Sequence, residues 1–212
     1  MKASKRNIPK ATIDRLSIYH RTLESIIETE KINKLSTISS SQLSDITGVT
    51  SHKIRKDLSY FGQFGKRGTG YPVLKLALRL KKILKSNQKW DLVLVGFGNL
   101  GTAFLNYKGF SKRGFTIKAV FDNDISKVGE KIGDIRVRHI QEIETFLKEH
   151  KIQIAIMAVP AQCAQEVAEK LFAGGIRSIL NFAPVNIKYP KGISIKHIDI
   201  AIELEKMVYY LS

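Results

Sequence analysis

The chain of 212 residues has a single cysteine, Cys163. It can therefore close no internal disulfide and build no cysteine-based zinc site. A small, half-apolar core position is the expected place for this residue. Proline is scarce, with five residues, and aromatic side chains make up only 8%. No apolar run approaches the roughly 18 residues a membrane span needs. The start, MKASKRNIPK, is basic but lacks a following apolar stretch, so no secretory signal is expected. The five histidines, His20, His52, His139, His150 and His197, are scattered and show no metal-binding spacing. Neither a metal nor a membrane is an expected partner. A reducing cytoplasm is the expected compartment.

Acidic residues are also in short supply: 19 against 35 Lys and Arg, a net charge of +16. The deficit is uneven. Residues 1–86 hold 18 basic and 6 acidic side chains, a net of +12; residues 87–212 hold 17 and 13, a net of +4. A basic block that is also rich in helical pattern is the electrostatic footprint of a polyanion binder.

After Pro9, Ile13, Leu16, Tyr19, Leu23, Ile26 and Ile27 recur at helical spacing. Ser39 to Ser41 offer N-caps for a second helix with Leu43 and Ile46, which Gly48 stops. Thr50 or Ser51 can cap a third helix, with Ile54, Leu58 and Phe61 on one face. Two short helices split by a glycine turn read as a helix-turn-helix. The glycine- and aromatic-rich YFGQFGKRGTGY that follows suits a β-hairpin with a basic tip, ended by Pro72. Together these predict a winged helix. VLKLALRLKKILK closes the region as an amphipathic helix, with Leu74, Ala77, Leu78 and Leu80 through Leu84 on its apolar side. A winged-helix DNA-binding domain is expected over 1–86. In such a domain the second helix of the motif enters the major groove. Ser51, His52, Lys53 and Lys56 are its candidate groove-facing residues. Arg55 is a candidate phosphate contact, and Lys66 and Arg67 are candidates at the hairpin tip.

Beyond residue 86, strand and helix patterns alternate, which predicts an α/β domain with a Rossmann-like, doubly wound parallel sheet over 87–197. Its strongest signal is Gly96-Phe97-Gly98-Asn99-Leu100-Gly101, which follows the strand DLVLV and opens a helix. Gly96 allows the tight turn, Gly98 lets a pyrophosphate approach the backbone, and Gly101 brings helix and strand close together. The helix N-terminus offers N–H groups to the phosphates. Asp122 follows Phe121 at the end of the second strand, where a carboxylate accepts hydrogen bonds from ribose hydroxyls. It would repel a 2′-phosphate, so NADH or NAD+ is the expected cofactor. Asp124 is a neighbour, but the strand end favours Asp122. Val159 and Pro160, and Asn181 a strand later, follow the ends of later strands and are candidates to flank the nicotinamide half, as is Tyr107 near the end of the first helix. No acid–base pair stands beside the glycine loop, so an enzyme is not expected. Residues 198–212, DIAIELEKMVYYLS for the most part, form a helix left over once the sheet is complete.

The segments VTSHKIRKDLSYFGQFGKRGTGY, LVGFGNLGTAF, AVFDND, AVPAQCAQ and ILNFAPV carry a resemblance to the Rex family of bacterial redox-sensing transcriptional repressors, over essentially the whole chain. The resemblance implies a homodimer in which the last helix swaps onto the partner subunit. It implies a protein that binds double-stranded operator DNA when NADH is scarce and releases it when NADH binds. It also implies three switch residues: Arg21 in the first helix, Asp199 as its carboxylate partner, and Tyr107 as the group bonding that carboxylate in the other state. Two alternatives are a small NAD-dependent oxidoreductase with a basic accessory domain, and a nucleotide-binding module that regulates a partner protein.

Overall fold

The structure, a computed structural model, describes residues 8–29, 36–65, 68–209 and 211. The chain divides into two compact units, residues 1–88 and 89–212.

The first unit contains helix α1 (Lys10–Thr29), strand β1 (Thr37–Ile38), helices α2 (Ser40–Thr47) and α3 (Ser51–Ser59), strand β2 (Tyr71–Pro72) and helix α4 (Val73–Ile83). The helix ends follow local chemistry. Ser39 caps α2 in a reciprocal box: its hydroxyl accepts from the Gln42 N–H at 3.1 Å, and the Gln42 side chain accepts from the Ser39 N–H at 2.8 Å. Gly48 stops α2 in the left-handed region, at a φ of 68°. Thr50 then caps α3. Leu16, Tyr19, Leu23, Leu43, Ile54, Leu58, Leu76 and Leu80 are buried together in the core.

Three details depart from the sequence pattern. Leu78 is 68% exposed. At about 100° per residue it lies opposite the stripe of Val73, Leu76, Ala77 and Leu80 that α4 buries. Ile13 and Ile46 are also exposed, while the polar Thr12 and His20 of α1 are buried. Finally, β2 pairs antiparallel with β1, Thr37 opposite Pro72 and Ile38 opposite Tyr71. Residues 62–65 form no strand. The wing strand thus finds its partner ahead of α2. Gly70 makes this approach possible, since a Cβ there would stand 2.8 Å from the Ile38 carbonyl oxygen.

The second unit contains β3 (Trp90–Val95), α5 (Asn99–Asn106), the short α6 (Gly109–Lys112), β4 (Phe115–Asp122), β5 (Lys131–Ile132), β6 (Ile135–His139), α7 (Ile143–His150), β7 (Ile154–Met157), α8 (Ala161–Ala173), β8 (Ser178–Asn181), β9 (Ser194–His197) and α9 (Ile200–Tyr209). The strands lie in the order β5-β6-β4-β3-β7-β8-β9. All neighbours are parallel except the β5–β6 hairpin at the edge. Numbered by themselves, the six parallel strands run 3-2-1-4-5-6, the doubly wound order. Alternate residues of β3 serve opposite faces. Val93 and Val95 pack with α7 and α8, whereas Leu92 and Leu94 pack on the side of Phe104, Leu105 and Phe110. Helix α9 buries none of its described residues.

Candidate functional site

In the second unit, a cleft of about 690 Å³ opens at the carboxyl ends of β3 and β7, where the strand order reverses. This is the place where doubly wound sheets bind ligands. The three glycines of the loop differ in their surroundings. Gly96 has a φ of 97°, and a Cβ on it would run into the Ala158 carbonyl. Gly101 sits against the Gly96 carbonyl, so close that any side chain would push α5 off the strand. Above Gly98 nothing lies within 4 Å of where a Cβ would stand. The backbone there faces open cleft, beside the first turn of α5. Asn99 and Leu100 line the same wall. The Phe97 side chain turns away and packs in the core on the α5 side of the sheet.

Asp122 stands at the end of β4 and closes this wall. Its carboxylate accepts from the Phe97 N–H at 2.6 Å and from the Asp124 N–H at 2.9 Å. The acid therefore ties the glycine loop to the end of the second strand. Lys127 Nζ lies 3.9 Å from Asp122 and 3.5 Å from Asp124. The hydroxyl and N–H of Ser126 hold the Asp124 carboxyl below the usual range. Val159 and Pro160 line the opposite wall.

Asn181 is placed otherwise. It is fully buried, and its amide is spent on the carbonyls of Ala183 and Val185 and on the Ala183 N–H, with His197 Nδ1 at 2.9 Å. It braces the turn after β8 and does not line the cleft; its neighbour Phe182 does. Tyr107 likewise lies outside the cleft lining. It caps the end of α5, 55% exposed, with its ring edge-on to Phe110 and lying over Gly109. Cys163 is no core residue: it lines the cleft, its thiol donating to the Pro160 carbonyl at 3.3 Å. Glu166, Val167 and Lys170 join it there. Their helical spacing was legible, but only the sheet order shows that this face of α8 meets the glycine loop.

In the first unit, α3 turns His52, Lys53, Arg55 and Lys56 to solvent, with Ser51 half-buried. Arg55 donates to the Ser40 hydroxyl at 2.9 Å, beside the N-terminus of α2. Lys66 and Arg67 lie outside the described residues. On the inner side of α3, Asp57 is buried and held by α1. It accepts from Thr12 Oγ1 at 2.9 Å, from Tyr19 at 2.8 Å, and from two nitrogens of Arg15 at 2.6 and 2.7 Å. Burial alone would raise the Asp57 carboxyl; the hydrogen bonds from Arg15, Tyr19 and Thr12 more than offset this and hold it below the usual range. Tyr19 is pushed well above the ordinary phenol value by burial and by its bond to Asp57. The pattern of apolar positions put Tyr19 in the core but did not single out this network, because Asp57 looks in sequence like one more surface charge. Of the switch residues, Arg21 is exposed on α1, and Asp199 accepts from the N–H groups of Ala201 and Ile202 at the start of α9.

A winged helix joined to a Rossmann domain with an open glycine loop defines a class: DNA-binding proteins that carry a dinucleotide site. Residues 87–185 match the family described as "CoA binding domain", and residues 7–59 the one described as "Putative DNA-binding protein N-terminus". The chain is 46% identical to the redox-sensing transcriptional repressor Rex of Pelotomaculum thermopropionicum, over all of this chain and 96% of that one. It superposes on RSP, a Rex-family repressor, in complex with β-NAD+ and operator DNA with a TM-score of 0.90, at 37% identity over 98% of this chain and 94% of the other. For RSP in complex with β-NADH the values are 0.87 and 36%, over 98% and 95%. The chain belongs to the Rex family of redox-sensing transcriptional repressors.

Proposed function

We propose that this chain is a homodimeric repressor that holds double-stranded operator DNA through its winged helices and releases it when NADH occupies the Rossmann cleft. The observation that carries this reading is the space above Gly98, on the same wall as Asp122. A side chain at position 98 would fill that space, so it suits the pyrophosphate of a dinucleotide. The N–H groups of the first turn of α5 would receive the phosphates, and Asp122 the adenosine ribose hydroxyls. Val159 and Pro160 flank the far end. When bound, the dinucleotide supplies a nicotinamide ring whose charge reports its oxidation state; the protein performs no chemistry on it. Reduced and oxidised rings shift the dimer only by their differential affinity for its two states. DNA and NADH then weaken each other's binding by the same factor.

Dimerisation is supported by α9. A helix of ten residues is marginal in water by itself. This one exposes Ile200, Ile202, Leu204, Met207, Val208 and Tyr209, an apolar surface that a second copy would cover. Arg21, Tyr107 and Asp199 are the groups through which the two states would be told apart. No described helix is long and apolar enough to cross a membrane; the cytoplasm is the proposed compartment.

The test is a gel-shift titration with a duplex that the full-length protein selects from a random library. NADH at micromolar concentration is expected to dissociate the complex, and NAD+ at the same concentration to leave it intact. The reverse order would overturn the reading. In the same assay Asp122→Ala should need at least about tenfold more NADH, as expected for losing a charged hydrogen-bond acceptor worth about 1.5–3 kcal/mol. Normal induction of that variant would remove Asp122 from the ribose site.

A further inference from the structure

An acid in the reading helix of a DNA-binding domain is an electrostatic liability, since it faces a polyanion. Residues 1–86 hold only 6 acidic side chains against 18 basic ones, and one of the six is in α3. Asp57 is nevertheless 2% exposed and receives four hydrogen bonds from three side chains of α1. An apolar residue of similar size would stabilise such a site as well or better, because two charges need not be desolvated. What apolar packing does not supply is direction. The rest of the inner stripe of α3, Ile54 and Leu58, makes contacts that tolerate rotation and sliding. Hydrogen bonds weaken steeply with misalignment, and a two-pronged arginine pair fixes a plane as well as a distance. Thr12, Arg15 and Tyr19 are spaced by three and four residues, so they meet Asp57 from one face of α1.

We propose that Thr12, Arg15 and Tyr19 are positioning residues for DNA reading: through Asp57 they set the rotation of α3 about its axis and so decide which way Lys53, Arg55 and Lys56 point. The inference rests on the proposed DNA-binding function. Setting the angle of α3 matters for base readout, which needs side chains at exact places. It matters little for attraction to phosphates, which depends on the number of charges. The network is therefore a determinant of specificity more than of affinity.

The experiment compares full-length variants on two probes: the duplex selected by the wild-type protein, and a scrambled duplex of the same length and composition. Asp57→Asn is expected to lower the ratio of the two affinities by about tenfold or more, and Tyr19→Phe by about threefold, within the range set by one or two lost base contacts. Affinity for the scrambled duplex should stay within about twofold or rise, since Asp57→Asn removes a negative charge. A role in stability alone would reduce the active fraction and move both affinities together. If Asp57→Asn does not fold, Tyr19→Phe decides, because it removes only a hydroxyl. A folded Tyr19→Phe that keeps the wild-type ratio overturns the inference. A wild-type protein that selects no duplex instead overturns the DNA-binding reading, and this inference with it.

Discussion

Gly98→Val is expected to yield a folded protein that has lost NADH binding by about 100-fold or more, equivalent to about 2.7 kcal/mol or more. The backbone at Gly98, with a φ of −94° and a ψ of −164°, is extended and open to any residue. Since nothing lies within 4 Å of a Cβ there, the valine meets no protein atom at that position and its cost to folding is small. Its methyl groups instead occupy the space through which a pyrophosphate would reach the N–H groups of α5. The two flanking glycines should behave differently. Gly101→Ala drives a methyl into the Gly96 carbonyl, a backbone atom that cannot swing aside. That variant is expected to lose thermal stability by the 1–3 kcal/mol typical of overpacking, along with nucleotide affinity. Thermal unfolding and calorimetric titration of both variants separate the two effects. A Gly98→Val protein that folds and binds NADH like the wild type would mean the nucleotide lies elsewhere.

Operator affinity is expected to fall about a thousandfold between 50 and 200 mM salt. Each α3 exposes Lys53, Arg55 and Lys56, so the proposed dimer would offer six cations from the two helices proposed to read DNA. Six neutralised phosphates imply a slope of about −5 in log affinity against log salt, hence about three decades over a fourfold change. Lys53→Ala removes one cation from each protomer and should flatten the slope by about 2. NADH affinity should be unaffected by that substitution. A slope near zero would show that the basic face of α3 does not meet phosphates, and loss of both ligands in Lys53→Ala would indicate a folding defect instead. The slope counts the charges that meet phosphates, whereas the ratio measured on the Asp57 variants reads their placement, so the two measurements complement each other.

Much of this molecule was readable residue by residue wherever the determining contacts are local. The caps and the Gly48 stop act within one helical turn, so spacing locates α2 and α3, while the choice of Ser39 among Ser39 to Ser41, and of Thr50 over Ser51, came from the structure. The glycine loop and Asp122 were legible for the same reason: strand, turn and helix succeed each other directly, and the acid ends the next strand. Their meeting, with the Asp122 carboxylate on the Phe97 N–H, follows from β3 and β4 being neighbours.

What only the tertiary structure decided involves partners far apart in sequence. The wing strand β2 pairs with β1, more than thirty residues earlier, because edge pairing depends on which backbones come close, and no local periodicity encodes that. Asn181 had the position of a cleft residue but turned inward, since the chain after β8 doubles back and its buried N–H and carbonyl groups need a partner. Cys163 and Lys170 face the cleft because the sheet order sets α8 beside the glycine loop. Nothing near Asp57 in the sequence marks it as buried; α1 supplies the three donors that make its burial possible, 38 to 45 residues away. Sequence by itself determined most of the helices, the strands of the parallel sheet and the glycine loop between β3 and α5. Packing determined which polar groups were left to meet a ligand and which were used up in holding the fold, because a buried polar group is stable only where the rest of the chain delivers its partner.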